Sequence, residues 1–260
     1  MTKRLKGKVA LITGRLKGKV ALITGGTTGI GRATAQEFVA QGATVFITGR
    51  RQAELEEAVA AAGPGTIGIR GDISKMEDLD RIYEEIAEKA GHLDIVFANA
   101  GGGDFLPMGA ITEEQFDRIF GINVKGMLFT VQKALPLLRE GASIILTGST
   151  AASGGTENFS VYAASKAAVR SFARNWILDL KPRAIRVNTL SPGPVETPGL
   201  TGLVPTEHAQ GFLGSFADMV PLGRVGQPNE IAKAALFLAS EDSSFVNGIE
   251  LFADGGLAQI

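Results

Sequence analysis

From Val20 onward, short apolar runs alternate with stretches whose apolar residues recur at helical spacing. The runs are Val20–Thr24, Thr44–Thr48, Thr66–Arg70, Ile95–Ala98, Ser143–Thr147, Ile185–Leu190 and Glu250–Phe252. They are nearly continuous in apolar residues, the pattern of strands covered on both faces. Between them the spacing predicts helices over 29–41, 51–62, 75–90, 112–139, 160–180 and 228–239. Strands alternating with helices predict parallel βαβ units, and so an α/β fold with a doubly wound parallel sheet of about seven strands.

Local signals support the boundaries. Ser74-Lys75-Met76-Glu77 and Thr112-Glu113-Glu114-Gln115 read as capping boxes. Pro228 suits the first turn of the last helix, and Pro182 marks where the 160–180 helix has stopped. The segment 198–220, rich in Gly, Pro and Phe, interrupts the alternation and is expected to form a lid. No linker divides the chain, so 15–260 is read as one domain.

Residues 4–14, Arg-Leu-Lys-Gly-Lys-Val-Ala-Leu-Ile-Thr-Gly, recur unchanged as 15–25. Solenoid arrays need more copies of longer units. Only the second copy runs into a glycine-rich turn; the first is followed by Arg15-Leu16-Lys17. Val20–Thr24 is therefore the first core strand, and 1–14 is expected to be an N-terminal appendage.

Composition narrows the classes of function. Of 260 residues, 45% are hydrophobic and 20% charged, with a net charge of −1, which gives no electrostatic reason to expect nucleic acid or an anionic membrane as partner. No apolar run reaches the ~18 residues of a membrane span, and no signal-peptide pattern opens the chain. The cytoplasm is the default expectation. Zero cysteines exclude disulfides and thiolate ligands. His92 and His208 have no metal-ligand spacing, and Ser149 lies outside any G-x-S-x-G elbow, so neither a catalytic metal nor a serine hydrolase is expected.

Two motifs carry candidate chemistry. Thr24-Gly25-Gly26-Thr27-Thr28-Gly29-Ile30-Gly31 follows a strand and opens a helix. Glycines there allow a tight turn and close approach of a pyrophosphate to the helix N-terminus, whose amides favour anions. Tyr162 and Lys166 lie four residues apart, with Ser149 thirteen upstream of the tyrosine. A phenol titrates near pH ~10, and an ammonium one helical turn away favours its phenolate. That pairing suits general acid–base work.

The order Thr24-Gly-x-x-x-Gly-x-Gly31, Asn99-Ala100-Gly101, Asn123, Ser149, Tyr162-x-x-x-Lys166, Pro192-Gly193 and Asp254-Gly255-Gly256 resembles the short-chain dehydrogenase/reductase family. The likeness runs from about Leu16 to Gly256. It implies a Rossmann-like sheet in the order 3-2-1-4-5-6-7. It also implies that Tyr162 is the general acid for carbonyl reduction and the base for alcohol oxidation. Lys166 would lower the tyrosine pKa and hold the nicotinamide ribose, and Ser149 would bond the substrate oxygen. Asn123 would hold a water linking Lys166 to solvent.

On the same resemblance, Gly25, Thr27, Thr28, Gly29, Ile30 and Gly31 would cradle the pyrophosphate. Asp72 and Ile73 would meet the adenine, Asn99, Ala100 and Gly101 the adenosine ribose, and Pro192, Gly193, Val195 and Thr197 the nicotinamide. The family often has a second Asn where this chain has Ala98. In NAD-dependent members an acid ends the second strand; here it ends Thr48-Gly49-Arg50-Arg51. Arginine can fork onto a 2′-phosphate, and the missing carboxylate removes a repulsion. NADP(H) is expected over NAD(H), although the position before Gly29, often basic in the family, is Thr28.

Phe105, Ala151, Phe159, Leu200 and Phe212, with Ser149 and Tyr162, are candidate walls of the substrate pocket, beside a rim Gly101-Gly102-Gly103 expected to be open and flexible. Apolar walls predict an uncharged carbonyl compound or secondary alcohol. The resemblance implies a homotetramer, with one interface through the 123–139 and 160–180 helices and another through 228–239 and the last strand. A nucleotide sensor without turnover, and a lyase or epimerase on the same scaffold, are the alternative readings.

Overall fold

The computed structural model describes residues 14–260, so the appendage expected over 1–14 lies outside the described residues except for Gly14. Gly14 already belongs to the folded body. A Cβ there would meet the Gln41 carbonyl oxygen at 2.1 Å, and Leu16 is buried with its amide donating to the same oxygen at 3.1 Å.

Seven strands form one parallel sheet: β1 (Val20–Ile23), β2 (Thr44–Gly49), β3 (Thr66–Arg70), β4 (Leu93–Ala98), β5 (Leu138–Thr147), β6 (Arg186–Pro192) and β7 (Glu250–Ala253). Their order is β3-β2-β1-β4-β5-β6-β7, as the sequence implied. Leu22 of β1 lies between Phe46 of β2 and Val96 of β4.

Successive strand residues point to opposite faces, which builds two cores. Leu22, Phe46, Val96 and Ile144 pack on one face with α3 (Met76–Ala90), α5 (Met127–Ala134) and α6 (Ser160–Asp179), through Ile82, Met127 and Val169. Ile23, Ile47, Phe97 and Ile145 pack on the other with α1 (Gly29–Ala40), α2 (Gln52–Ala62) and α9 (Pro228–Ala239), through Phe38, Leu55 and Leu236. Burial of each large side chain contributes about 1.5–3 kcal/mol. Strand order reverses direction between β1 and β4, so the carboxyl ends of those strands border the crevice where such sheets bind ligands.

Three local expectations change. The helix predicted over 112–139 is divided into α4 (Glu113–Phe120), a π-helical turn over Gly121–Gly126, and α5. Pro136 stops it early, and Leu138 already belongs to β5. Thr112 does cap α4, accepting from the Gln115 amide at 3.1 Å. Ser74 does not cap α3; its hydroxyl donates instead to Asp72 Oδ1 at 2.7 Å. The segment 198–220 contains two helices, α7 (Pro198–Thr201) and α8 (Ala209–Met219).

Candidate active site

The glycine turn leaves the carboxyl end of β1, and its glycines are set by what lies against them. A Cβ on Gly31 would meet the Gly25 carbonyl oxygen at 2.2 Å, and one on Gly25 would meet Ala100 Cα at 3.0 Å. Thr24 braces this corner by accepting from the amides of Asn99 and Ala100, both at 3.0 Å. Asn99 Nδ2 returns a bond to the Thr24 carbonyl at 3.0 Å, so its side chain shapes the turn. Thr28 precedes α1 in extended conformation, and the first turn of α1 has no acidic residue. Ile30 packs into the core below.

At the end of β2 the two arginines part. Arg51 pairs with Glu54 at 3.0 Å, whereas Arg50 is exposed and borders a groove with Asp72, Ser74, Ile122 and Lys125. Gly49 sits against Thr27: a Cβ there would lie 2.3 Å from Thr27 Cγ2. Asp72 Oδ1 accepts from the Ser74 amide and hydroxyl, the helix-entry role that is its simplest reading. Ile73 is a buried core residue packed on Gly126.

On the far side of the crevice, β6 runs into Pro192-Gly193. Gly193 has no room for a Cβ, which would meet Asp254 Cα at 2.8 Å. Asp254 in turn accepts from the amides of Gly256 and Ala258, so the closing Asp-Gly-Gly is a structural turn. Val195 bridges Gly226 through its neighbours, Glu196 N–H to Gly226 at 2.9 Å and Gly226 N–H to Pro194 at 2.9 Å. In such a pairing the amide and carbonyl of Val195 itself face the opposite side. Thr197 accepts from the Leu200 amide at 3.1 Å to start α7, and its methyl lies against Gly29.

The catalytic candidates converge between β5 and α6. Lys166 is 2% exposed, and its Nζ donates to the Thr147 carbonyl at 2.8 Å and lies 5.6 Å from the Tyr162 ring centroid. Burial pulls its ammonium down to about 8. Burial also pushes the Tyr162 phenol up, and a hydrogen bond with Ser149 works against that rise. Ser149 Oγ also accepts from the Ala151 amide at 3.2 Å. In the chain by itself, burial outweighs the lowering that the Tyr–Lys spacing led us to expect.

Asn123 lies in the π-helical turn and is fully buried. Its amide brackets Gly102, accepting from the backbone N–H at 3.0 Å and donating to the carbonyl at 2.9 Å. Nδ2 also donates to Ser165 Oγ at 2.9 Å, and Ser165 donates to the Tyr162 carbonyl at 2.6 Å. The sequence alone assigned no role to Ser165 or Thr147, and placed Thr24 in the glycine motif without showing that it braces Asn99 and Ala100. The first sits inside the Tyr-x-x-x-Lys motif, but only the fold shows which way its hydroxyl turns.

Gly101 and Gly102 of the rim are exposed, yet two of its three glycines leave no free space for a side chain. A Cβ on Gly101 would meet Asn123 Oδ1 at 3.0 Å and Lys166 Nζ at 3.2 Å; one on Gly103 would meet the Tyr162 ring; only Gly102 faces open space. Beyond the rim, aromatic rings line the mouth. Phe159 stacks on Tyr162 with centroids 4.4 Å apart, Phe105 stacks on Phe159 at 4.4 Å, and Phe212 of α8 meets Phe105 edge-on at 6.2 Å. The Leu106 amide donates to the Asn158 carbonyl at 2.7 Å, which holds the Phe105 loop beside Phe159. Ala151 and Leu200 are both partly exposed.

No helix among the described residues is long and apolar enough to cross a membrane, and no group of three or more His, Cys, Asp or Glu among them could hold a metal ion.

Residues 25–258 match the family model described as enoyl-(acyl carrier protein) reductase. The chain is 50% identical to oxidoreductase asL5 of Sarocladium schorii, covering 99% of this chain and 98% of that protein. It is 37% identical to the hydroxynaphthalene reductase-like protein Arp2 of Metarhizium majus, over 98% of this chain and 96% of that one. Among solved structures, the 3-ketoacyl-(acyl-carrier-protein) reductase of Brucella melitensis, complexed with NADH, superposes with a TM-score of 0.87. It is 36% identical, covering 94% of this chain and 99% of that chain.

Proposed function

Because the chain belongs to the short-chain dehydrogenase/reductase family of oxidoreductases, we propose that it is an NADP(H)-preferring reductase acting on an uncharged carbonyl compound, or on the matching secondary alcohol in reverse. The observation that carries this reading is the convergence of Ser149, Tyr162 and Lys166 beside a glycine turn in which the Cβ positions of Gly25 and Gly31 are filled by neighbouring backbone. Such a turn, opening a helix free of acid in its first turn, fits the pyrophosphate of a dinucleotide. Gly29 to Gly31 would hold that group, Asn99 to Gly101 the adenosine ribose, and Val195 the carboxamide. A nicotinamide bound there supplies or accepts the hydride.

The chain's own residues manage the proton. Ser149 donates a hydrogen bond to the substrate oxygen, where negative charge develops as the carbonyl is reduced. Tyr162 passes its phenolic proton to the same oxygen. The phenolate left behind is stabilised by the Lys166 ammonium. With its pKa near 8, Lys166 is mostly charged at neutral pH yet exchanges its proton readily.

Arg50 favours the 2′-phosphate, as does the absence of a carboxylate at Gly49. The stacked mouth of Phe105, Phe159 and Phe212 suits a ring-bearing ketone. A relative described as hydroxynaphthalene reductase-like agrees with that preference. We also propose a cytoplasmic homotetramer, on family resemblance. Absorbance of the nicotinamide band over a panel of ketones and alcohols, with NADPH and NADH in parallel, tests the reading. Faster turnover with NADPH, and a loss of roughly 100- to 10,000-fold in Tyr162→Phe, are expected. Tight cofactor binding without hydride transfer on any substrate would favour the sensor, and full activity in Tyr162→Phe would refute the mechanism.

A further inference from the structure

Gly103 ends the rim that follows β4, and it abuts the root of the catalytic ring. A Cβ built on it would lie 2.5 Å from Tyr162 Cδ2, 2.8 Å from Cγ and 3.0 Å from Cβ. Carbon atoms at such distances repel strongly, so one side must move. The ring has little room, because Phe159 already stacks on it and Phe105 backs Phe159. Nor can the rim swing away freely. Asn123 grips both polar backbone atoms of Gly102 and, through Ser165, is bonded to the carbonyl of Tyr162 itself. Rim and helix are thus strutted at a fixed spacing that leaves space for a glycine and no more.

We propose that Gly103 is a positioning residue for proton transfer: its bare Cα is the stop that seats the Tyr162 ring beside Ser149. The proposal rests on the acid–base role given to Tyr162 above, but its geometric half can be tested without any substrate. The chain contains two tyrosines, Tyr83 and Tyr162. Tyr83 is buried, donates to the Thr130 carbonyl, and is pushed far up by that burial. In a Tyr83→Phe background the phenolate absorbance step on raising the pH therefore reports Tyr162 alone.

In Gly103→Ala that midpoint should move by about one pH unit, because the phenol is displaced from Ser149 and its surroundings. In Gly109→Ala, where a Cβ would meet nothing, it should not move. With substrate, kcat of Gly103→Ala should fall roughly 100-fold, the scale of a misplacement of about 1 Å, while KM for NADPH stays unchanged. Thermal unfolding of Gly103→Ala, Tyr162→Ala and the double variant completes the test. Removing the ring should remove most of the destabilisation caused by Gly103→Ala, leaving only the 3.0 Å approach to the retained Cβ of residue 162, and the double variant should fold even if the single one does not. Equal destabilisation in both backgrounds, an unmoved midpoint, or an unchanged kcat in Gly103→Ala would each overturn the proposal. Loss of the midpoint shift refutes the seating of the ring. A shifted midpoint in an enzyme that tolerates Tyr162→Phe refutes instead the acid–base role on which the proposal rests.

Discussion

The two sides of the crevice are built differently. At the glycine turn two limits are set by main chain, Gly31 against the Gly25 carbonyl and Gly25 against Ala100 Cα, while Gly26 and Gly29 meet the side chains of Ile47 and Thr197. At the mouth they are set by side chains: the rings of Phe105, Phe159 and Phe212, and helix α8, in which no residue is fully buried. Backbone cannot shrink or rotate aside, whereas a half-exposed ring can. The cofactor side should therefore fail abruptly under substitution and the substrate side should adjust by degrees.

The sharpest test is Gly31→Ala. Overpacking against a carbonyl costs about 1–3 kcal/mol, so nicotinamide cofactor affinity, followed by fluorescence titration, should drop roughly 5- to 150-fold. Next is the pH dependence of stability, which probes the buried group between the two sides. Lys166 titrates near 8 in the folded chain, below its ordinary value, so between those values the unfolded chain binds more protons. Stability measured by urea unfolding should rise between pH 8 and 10, by on the order of 2 kcal/mol, and Lys166→Met should flatten the rise. Above pH 10 the raised Tyr162 acts oppositely, because the unfolded chain then loses its phenolic proton first.

Arg50→Ala should raise KM for NADPH about tenfold and leave that for NADH nearly unchanged, with the difference shrinking at high salt. The smallest effect is expected for Phe212→Ala. It should change KM for a ring-bearing ketone only a few-fold and stability by less than about 1 kcal/mol. Should Phe212→Ala prove as damaging as Gly31→Ala, the contrast between the two sides would not hold.

The parallel sheet was readable because its strands are apolar runs alternating with periodic helices; its order came from the resemblance to the short-chain dehydrogenase/reductase family. Tyr162 and Lys166 stood out because their spacing has a chemical reason, and Ser149 because of the family resemblance. Helix α8 was missed because its glycines and half-exposed phenylalanines carry no strong apolar face. The π-helical turn that seats Asn123 leaves no periodic trace, since it shifts the phase by a single residue within a helical stretch. The rim needed the fold for another reason. A glycine run reads as freedom, but Gly101 and Gly103 owe their identity to neighbours more than twenty residues away in sequence, Asn123, Lys166 and Tyr162. Arg50 and Arg51 looked equivalent until the fold paired one of them with Glu54.

The packing of Thr27 on Gly49 also constrains how this lineage can change. An acidic residue at position 49 lies one nucleotide substitution from glycine, so a switch of cofactor looks cheap on paper. In this chain that single step would drive a new side chain into the Thr27 methyl and disturb the phosphate turn for either dinucleotide. Either the Thr27 side chain rotates away or it gives up its methyl before position 49 acquires a carboxylate. Coupling of that kind would make the cofactor preference proposed above slow to reverse.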